Sequence, residues 1–185
     1  MEKINSKEDL INYFKKGCKK EDQVNIGVEH EKFIFYNNSN KRINFETVSK
    51  VFHFLEQFGW KSIKEGNNVI ALYRDGKSIT LEPGNQIELS GAKLKSIHYS
   101  CSESYKFLSE LKKVCSNLNL RMMSSSFDPF SKLKDVPKTP KRRYEIMTEE
   151  MPKNGELSLE MMYQTCGTQI NLDYISESDF IKKFK

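Results

Sequence analysis

The chain has 185 residues, 37% hydrophobic and 30% charged, which fits one soluble globular domain with its own core. Its net charge of +5 comes from 30 basic and 25 acidic residues mixed along the chain, so we expect no nucleic-acid-binding arm built from like charges. No apolar run is long enough to span a membrane. The N-terminus lacks the apolar stretch of a secretory signal peptide, so by default we expect a cytoplasmic protein.

The first elements along the chain are two helices with a strand between them. Ser6, followed three residues later by an acid, marks the start of a helix that should end near Gly17. A strand should cover about residues 24–36. Thr47 can cap a second helix, which should stop before Gly59 because glycine suits the left-handed C-terminal position.

Short strands dominate the next part of the chain. They are predicted over about residues 60–64, 68–73 and 77–82. Asp75-Gly76 between the last two strands is a strong hairpin signal. Pro83-Gly84 interrupts the pattern before Gln86–Leu89 resumes it, which predicts a kinked or bulged strand of the kind found beside active sites.

The second half of the chain mixes helices, strands and one long connection. We predict a helix over about 95–117, a strand over 121–125, a helix over 141–151 and a strand over 163–174. Residues 124–140 contain three prolines, and an irregular connection of that length is usually functional or disordered. A short helix after Ser176 is marginal unless it packs on something, and we expect further sequence beyond it.

Two glutamates on the first strand carry the strongest chemical signal. Glu29 and Glu31 are two residues apart, so they share one face of the strand at a spacing of roughly 6.5–7 Å. Phe33 and Phe35 follow on that face and other apolar residues occupy the opposite one, a pattern typical of strands covered on both faces. Paired carboxylates under cover need a compensating cation or hydrogen-bond donors. This favours a Mg²⁺ site over a surface pair on an edge strand.

Further polar positions gain meaning only if their strands lie in one sheet. These positions are Glu82, Glu88, Gln169 and Asn171. Each alone also fits the solvated face of an amphipathic strand. In a single antiparallel sheet, however, their rows would converge to line a cavity for Mg²⁺ and phosphates. The sequence has no glycine-rich phosphate loop, so metals and arginines would have to hold a nucleotide.

Basic residues, histidines and cysteines give weaker evidence of a functional site. Lys141-Arg142-Arg143 opens a helix and fits either a solvated face or a patch that binds phosphate or carboxylate. His30 alternates away from the glutamates and is expected to be a core or supporting residue, and His53 and His98 structural ones. The remaining candidates are the cysteines, Cys18, Cys101, Cys115 and Cys166. They have no zinc or disulfide spacing, so we expect free thiols.

Five segments resemble the plant and proteobacterial type of glutamate–cysteine ligase in order and spacing. They are IGVEHEKF (26–33), LEPGNQIELSGA (81–92), PKRRYEIM (140–147), MPK (151–153) and MMYQTCGTQINLDY (161–174). The resemblance implies an α+β fold, with a curved, mainly antiparallel sheet and helices on its outer face, similar to half of a glutamine-synthetase-like catalytic domain. Residues 1–185 would be the N-terminal portion of that single domain.

The resemblance also implies a reaction and its participants. ATP with Mg²⁺ would phosphorylate the γ-carboxylate of L-glutamate, and L-cysteine would displace the phosphate in the first step of glutathione biosynthesis. The implied metal ligands are Glu29, Glu31 and Glu88. The implied nucleotide-binding positions are Glu82, Gln169 and Asn171. The implied catalytic residues, in contact with substrate carboxylate or phosphate, are Arg143 and Tyr144.

Two departures from the family pattern leave alternatives open. Asn85 stands where the family has a second glycine, although asparagine tolerates a left-handed backbone. Family members are also more than twice this length, so we expect a fragment that is inactive alone, with a complementing C-terminal half as a possible partner. The alternatives are a related carboxylate–amine ligase with another acceptor amine, a non-catalytic partial protein and one subunit of a split ligase. A nucleic-acid binder is disfavoured because basic and aromatic residues are not interleaved.

Overall fold

One long strand, β1 (Ile26–Tyr36), is the centre of the fold in the computed structural model, which describes residues 3–185. The other strands are β2 (Lys61–Glu65), β3 (Asn68–Arg74), β4 (Lys77–Leu81), β5 (Ile87–Ser90), β6 (Leu120–Met123) and β7 (Thr168–Leu172). The helices are α1 (Lys7–Lys16), α2 (Phe45–Glu56), α3 (Ile97–Asn117), α4 (Arg142–Glu150), α5 (Ser158–Gln164) and α6 (Glu177–Phe184). Single 3₁₀ turns cover Glu21–Gln23, Leu133–Asp135 and Met151–Lys153.

The seven strands form one antiparallel sheet in the order β2-β3-β4-β5-β1-β6, and β7 pairs with β1. β5 lies along one side of β1. The other side is shared, because β7 pairs with Ile26–His30 and β6 pairs with Phe33–Tyr36. The predicted α+β class with an antiparallel sheet is therefore confirmed.

The main hydrophobic core lies between the sheet and the two helices α2 and α3. Its buried members include Ile34, Val48, Val51, Leu55, Leu72, Ile79, Leu81, Ile87, Leu89, Leu111 and Val114. Each such side chain contributes roughly 1.5–3 kcal/mol when removed from water. On the opposite face of β1, Phe33 and Phe35 are fully buried against Cys166. The second half of β1 is thus covered on both faces, as the sequence predicted.

Local signals located most element ends correctly, but the cap of α2 and the strand over 163–174 were predicted wrongly. The Ser6 capping box and the positive φ of Gly59 (+86°) are confirmed. Asn44 rather than Thr47 caps α2, since the Thr47 backbone N–H donates to Asn44 Oδ1 at 2.9 Å. The strand predicted over 163–174 begins only at Thr168, because its first residues form the end of α5. The side chains of Met162 and Tyr163 pack there with Val136, and this packing overrides the local alternation.

The segment between β4 and β5 is a bulged turn that joins two strands paired with each other, whereas the sequence predicted one kinked or bulged strand there. Asn85 N–H donates to Glu82 O at 3.0 Å and Glu82 N–H donates to Gln86 O at 2.9 Å. Asn85 adopts φ +60°, the left-handed position of a type I turn followed by a bulge. Asn85 therefore adopts the left-handed backbone that asparagine was expected to tolerate at this position. The turn places Glu82 at the end of β4, beside the polar face of β5.

Replacing Gly84 by alanine should destabilise the protein. An added Cβ would lie 2.7 Å from Tyr163 O, 2.8 Å from Arg42 Nη2 and 2.9 Å from Val136 Cγ1. We expect a loss of about 1–3 kcal/mol, typical of overpacking, measured as the free energy of unfolding in urea. Gly155→Ala is the control, because its nearest atom would be 3.8 Å away. Equal stability of the two variants would contradict this account of the turn.

Candidate functional site

The strand register brings the predicted polar residues onto one face of the sheet. Glu31 lies directly opposite Glu88 across β1 and β5, and Glu29 lies opposite Gln169 across β1 and β7. Directly paired residues of antiparallel strands point to the same face. The neighbours of Glu88 along β5, Ile87 and Leu89, belong to the main core on the other face. The convergence of polar rows that the sequence predicted for one antiparallel sheet is therefore present.

Three of these carboxylates meet. One oxygen from each of Glu31, Glu82 and Glu88 lies within 4.8 Å of the others, and we call these residues the carboxylate trio. Glu88 is only 7% exposed, while Glu31 and Glu82 are half-buried. An all-oxygen set of this kind is suited to a hard divalent cation such as Mg²⁺ or Mn²⁺.

The electrostatics of the trio are unfavourable without a cation. Burial, together with a hydrogen bond to Glu88 and the charges of Glu88 and Glu31, raises the pKa of Glu82 to about 7. Burial also raises the pKa of Glu31, with further contributions from the charges of Glu88 and Glu29. The Gly167 N–H, 2.9 Å from Glu31 Oε2, opposes that rise only in part. The metal-free trio therefore retains a proton near neutral pH, which a divalent cation would replace.

Glu29 lies on the same face but has different partners. Its Oε1 accepts hydrogen bonds from Asn171 Nδ2 at 2.8 Å and from Gln169 Nε2 at 3.1 Å. Gln169 Nε2 also donates to Asn171 Oδ1 at 3.0 Å. Two of the three predicted metal ligands, Glu31 and Glu88, thus lie together in the structure. The third carboxylate beside them is Glu82, which was predicted as a nucleotide-binding position. Glu29 instead joins the predicted pair Gln169 and Asn171.

The N-terminus of α4 approaches the trio from the end of β4. Tyr144 is buried, and its hydroxyl donates to Leu81 O at 2.5 Å. Burial and the charge of Glu82 raise the pKa of Tyr144. Lys141 Nζ donates to the same carbonyl at 2.9 Å; burial lowers its pKa, while the charges of Glu82 and Glu88 act in the opposite direction. Arg143 is exposed at this helix end, so its guanidinium is accessible to an anionic ligand.

Arg42 supports the turn between β4 and β5, and the sequence analysis did not identify this residue. It is 4% exposed, its Nη1 donates to Tyr163 O at 2.7 Å, and its Nη2 donates to Gly84 O. Its charge is paired with Asp128 at 3.5 Å. Gln86 completes the support, since its Oε1 accepts from Gly84 N–H at 2.8 Å. The contacts of Arg42 join segments far apart in the chain, so no local pattern could have indicated them.

The expectation for His30 agrees with the structure, whereas His53 and His98, which were expected to be structural, are exposed. His30 points away from the glutamates, and burial lowers its pKa. All four cysteines are free. Burial raises the pKa of the Cys166 thiol, which makes it a poor nucleophile. The outlying cysteines Cys18 and Cys101 are partly or fully exposed.

Comparison with known proteins gives a consistent result. A model of glutamate-cysteine ligase family 2 matches residues 25–185. The chain is 44% identical over 181 residues to the chloroplastic glutamate–cysteine ligase of Medicago truncatula, and 41% identical over 181 residues to that of Arabidopsis thaliana. Each alignment covers 97% of this chain, and 36% and 35% of the respective relatives. The chain thus spans about a third of the length of the curated relatives it matches.

The expected cytoplasmic location is corrected by these comparisons. The relatives from Medicago truncatula, Nicotiana tabacum and Oryza sativa are all named chloroplastic, and this finding contradicts the expectation. The expectation was based only on a missing apolar stretch, and plastid transit peptides have no such stretch because they are rich in serine and arginine. Across residues 3–185, no helix combines the length and the apolar character needed to cross a membrane.

The raised pKa of Glu82 predicts a pH-dependent stability. Its folded pKa lies near 7 against an ordinary value of 4.5, so the protonated form favours the folded state. Stability should therefore fall as pH rises from about 4.5 to 7 in the presence of a chelator, because the unfolded chain loses the proton that the folded protein still binds. Glu82→Gln removes this ionisation, and its free energy of unfolding in urea should fall less over the same range.

The control for this experiment is Glu156→Gln, since Glu156 is exposed and its replacement should leave the wild-type pH profile unchanged. A Glu82→Gln profile parallel to the wild type would contradict the assigned environment of Glu82.

Proposed function

The chain belongs to glutamate-cysteine ligase family 2, and we propose that it supplies the metal-binding face of an ATP- and Mg²⁺-dependent glutamate–cysteine ligase. In this reaction L-cysteine is joined to the γ-carboxylate of L-glutamate through a γ-glutamyl phosphate, as the first step of glutathione biosynthesis. The observation that carries the proposal is the meeting of Glu31, Glu82 and Glu88 within 4.8 Å on one face of the sheet.

The residues present fit Mg²⁺ on chemical grounds. The trio offers only carboxylate oxygens, and burial together with the neighbouring carboxylates raises the pKa of Glu82 to about 7, so a divalent cation would stabilise the ionised trio. When bound, Mg²⁺ would neutralise phosphate oxygens and so favour phosphoryl transfer. Such a reaction requires positioning and charge stabilisation from the protein rather than a nucleophilic side chain.

The surrounding side chains are suited to binding the substrate and the nucleotide. Arg143 is exposed at the start of α4, where its planar guanidinium can bind a substrate carboxylate or a phosphoryl group through two hydrogen bonds. Tyr144 holds α4 against β4 through its bond to Leu81 O, and we assign it to positioning Lys141 and Arg143. Gln169 and Asn171, exposed beside Glu29, extend the polar face and offer amide groups to the nucleotide.

We further propose that this chain is inactive alone. It spans 36% of the length of the Medicago truncatula relative, and the contacts to L-cysteine would come from the part of the enzyme that this chain does not represent. A ligase of this kind also needs its site shielded from water, because an acyl phosphate intermediate would otherwise be hydrolysed. The exposed positions of Gln169 and Asn171 are consistent with a face that requires cover.

Cation binding by the trio is testable on this chain directly. Glu31→Gln and Glu88→Gln should each weaken Mn²⁺ binding at least tenfold in isothermal titration calorimetry, about 1.4 kcal/mol for the loss of one charged ligand. Glu29→Gln should have a smaller effect, because Glu29 is bonded to two amides. Glu156→Gln is the matched control and should bind as the wild type does. Unchanged affinity in the Glu88 variant would exclude the trio as the metal site.

The catalytic proposal is tested by ADP release. The chain alone, mixed with ATP, Mg²⁺, L-glutamate and L-cysteine, should release no ADP above the rate of a reaction without protein. The full-length Medicago truncatula relative is the positive control under the same conditions. Release of ADP by this chain that required both amino acids would show that it is active without further polypeptide.

A further inference from the structure

Ser90 is a polar side chain on the sheet face that carries the carboxylate trio. It follows Glu88 by two residues on β5, so both side chains share that face. It also lies directly opposite Glu29 on β1. The Ser90 hydroxyl donates a hydrogen bond to Glu88 Oε1. A neutral donor therefore contacts Glu88, the trio member that is classed as buried, whereas the other two are half-buried.

The backbone that carries Ser90 is fixed by the contacts of the two residues that follow it. Gly91 N–H donates to Val28 O at 2.9 Å, and Ala92 N–H donates to Glu103 Oε1 at 3.0 Å. A Cβ added to Gly91 would lie 2.5 Å from Val28 O, so this approach requires a residue without a side chain. A group on a rigid element can hold its partner in a defined geometry. The Ser90 hydroxyl meets this requirement.

Glu88 needs such a donor because like charges lie on both sides of it. Glu31 is directly opposite on β1, and Glu82 follows the end of β4, which pairs with β5 on the other side. Repulsion between these groups disfavours the orientation in which the three carboxylates meet. A hydrogen bond to a charged carboxylate is short and strong, so the Ser90 hydroxyl opposes this repulsion. Carboxylates that bind metals are generally oriented by hydrogen bonds of this kind.

We propose that Ser90 is a positioning residue for the metal, which holds the Glu88 carboxylate in the direction that a small divalent cation requires. This inference rests on the proposed function, in which Glu88 is a metal ligand. Mg²⁺ and Mn²⁺ demand nearly octahedral ligand directions, whereas Ca²⁺ accepts more varied ones. A fixed Glu88 therefore favours the smaller cations, and Ser90 contributes to the metal selectivity of the site as well as to its affinity.

The test is calorimetric titration of the full chain with Mn²⁺ and, separately, with Ca²⁺. Ser90→Ala should weaken Mn²⁺ binding by about tenfold or more, the usual cost of losing a supporting hydrogen bond. It should weaken Ca²⁺ binding by less than about threefold, because Ca²⁺ tolerates a reoriented carboxylate. Ser90→Thr keeps the hydroxyl and should bind Mn²⁺ within about threefold of the wild type.

Ser78→Ala is the matched control for the titration. Ser78 lies directly opposite Ser90 on β4, whereas Thr80 is the β4 residue opposite Glu88. The control should leave both affinities within about twofold of the wild type, as surface substitutions usually do. Unchanged Mn²⁺ affinity in Ser90→Ala overturns the proposal. Equal losses of Mn²⁺ and Ca²⁺ affinity also overturn it, because they would indicate general damage to the fold rather than a misdirected ligand.

A second measurement does not depend on metal binding. In metal-free crystal structures, the Glu88 carboxylate should adopt one conformation in the wild type and more than one in Ser90→Ala. A single, unchanged conformation in the variant overturns the proposal. A wild-type chain that binds no Mn²⁺, combined with a released Glu88 in Ser90→Ala, would contradict the proposed function and leave Ser90 as the residue that orients Glu88.

Discussion

The pairing of Glu31 with Glu88 across β1 and β5 is the interaction on which the rest of the site depends. Like charges directly opposite each other in a sheet are destabilising, so the register must be held by other contacts. Ile34, Ile87 and Leu89 supply them, since all three are fully buried in the core on the opposite face. A slip of one residue would turn these side chains out of the core and the glutamates into it. The core therefore specifies the geometry of the charged face.

The third carboxylate depends on a turn that distant segments stabilise. Thr139 N–H donates to Pro83 O at 2.8 Å, and its hydroxyl donates to Glu82 O at 2.6 Å. The Arg42 guanidinium approaches the same turn at Gly84, where only a residue without a side chain leaves room for it. The connection over 124–140, which we expected to be functional or disordered, is thus ordered against the turn and contributes to its position. The functional face combines one rigid sheet with a turn fixed by long-range contacts.

The two ends of the sheet differ in charge. β2 carries charged residues and pairs with β3 through a register shift at Ile63/Lys64, whereas β7 is uncharged; both strands are exposed on every residue. The polar face between them carries the trio and the bonded group of Glu29, Gln169 and Asn171.

The sequence by itself determined the features that depend on local chemistry: the capping box at Ser6, the hairpin at Asp75-Gly76, the shared face of Glu29 and Glu31, and the family resemblance. The tertiary structure alone decided that the chain reverses direction between β4 and β5, that Glu82 rather than Glu29 completes the trio, that Arg42 supports the turn, and that Tyr163 lies in a helix. Periodicity reports which side of a strand a residue occupies. Distances between strands depend on register and on long-range packing, which no local pattern contains.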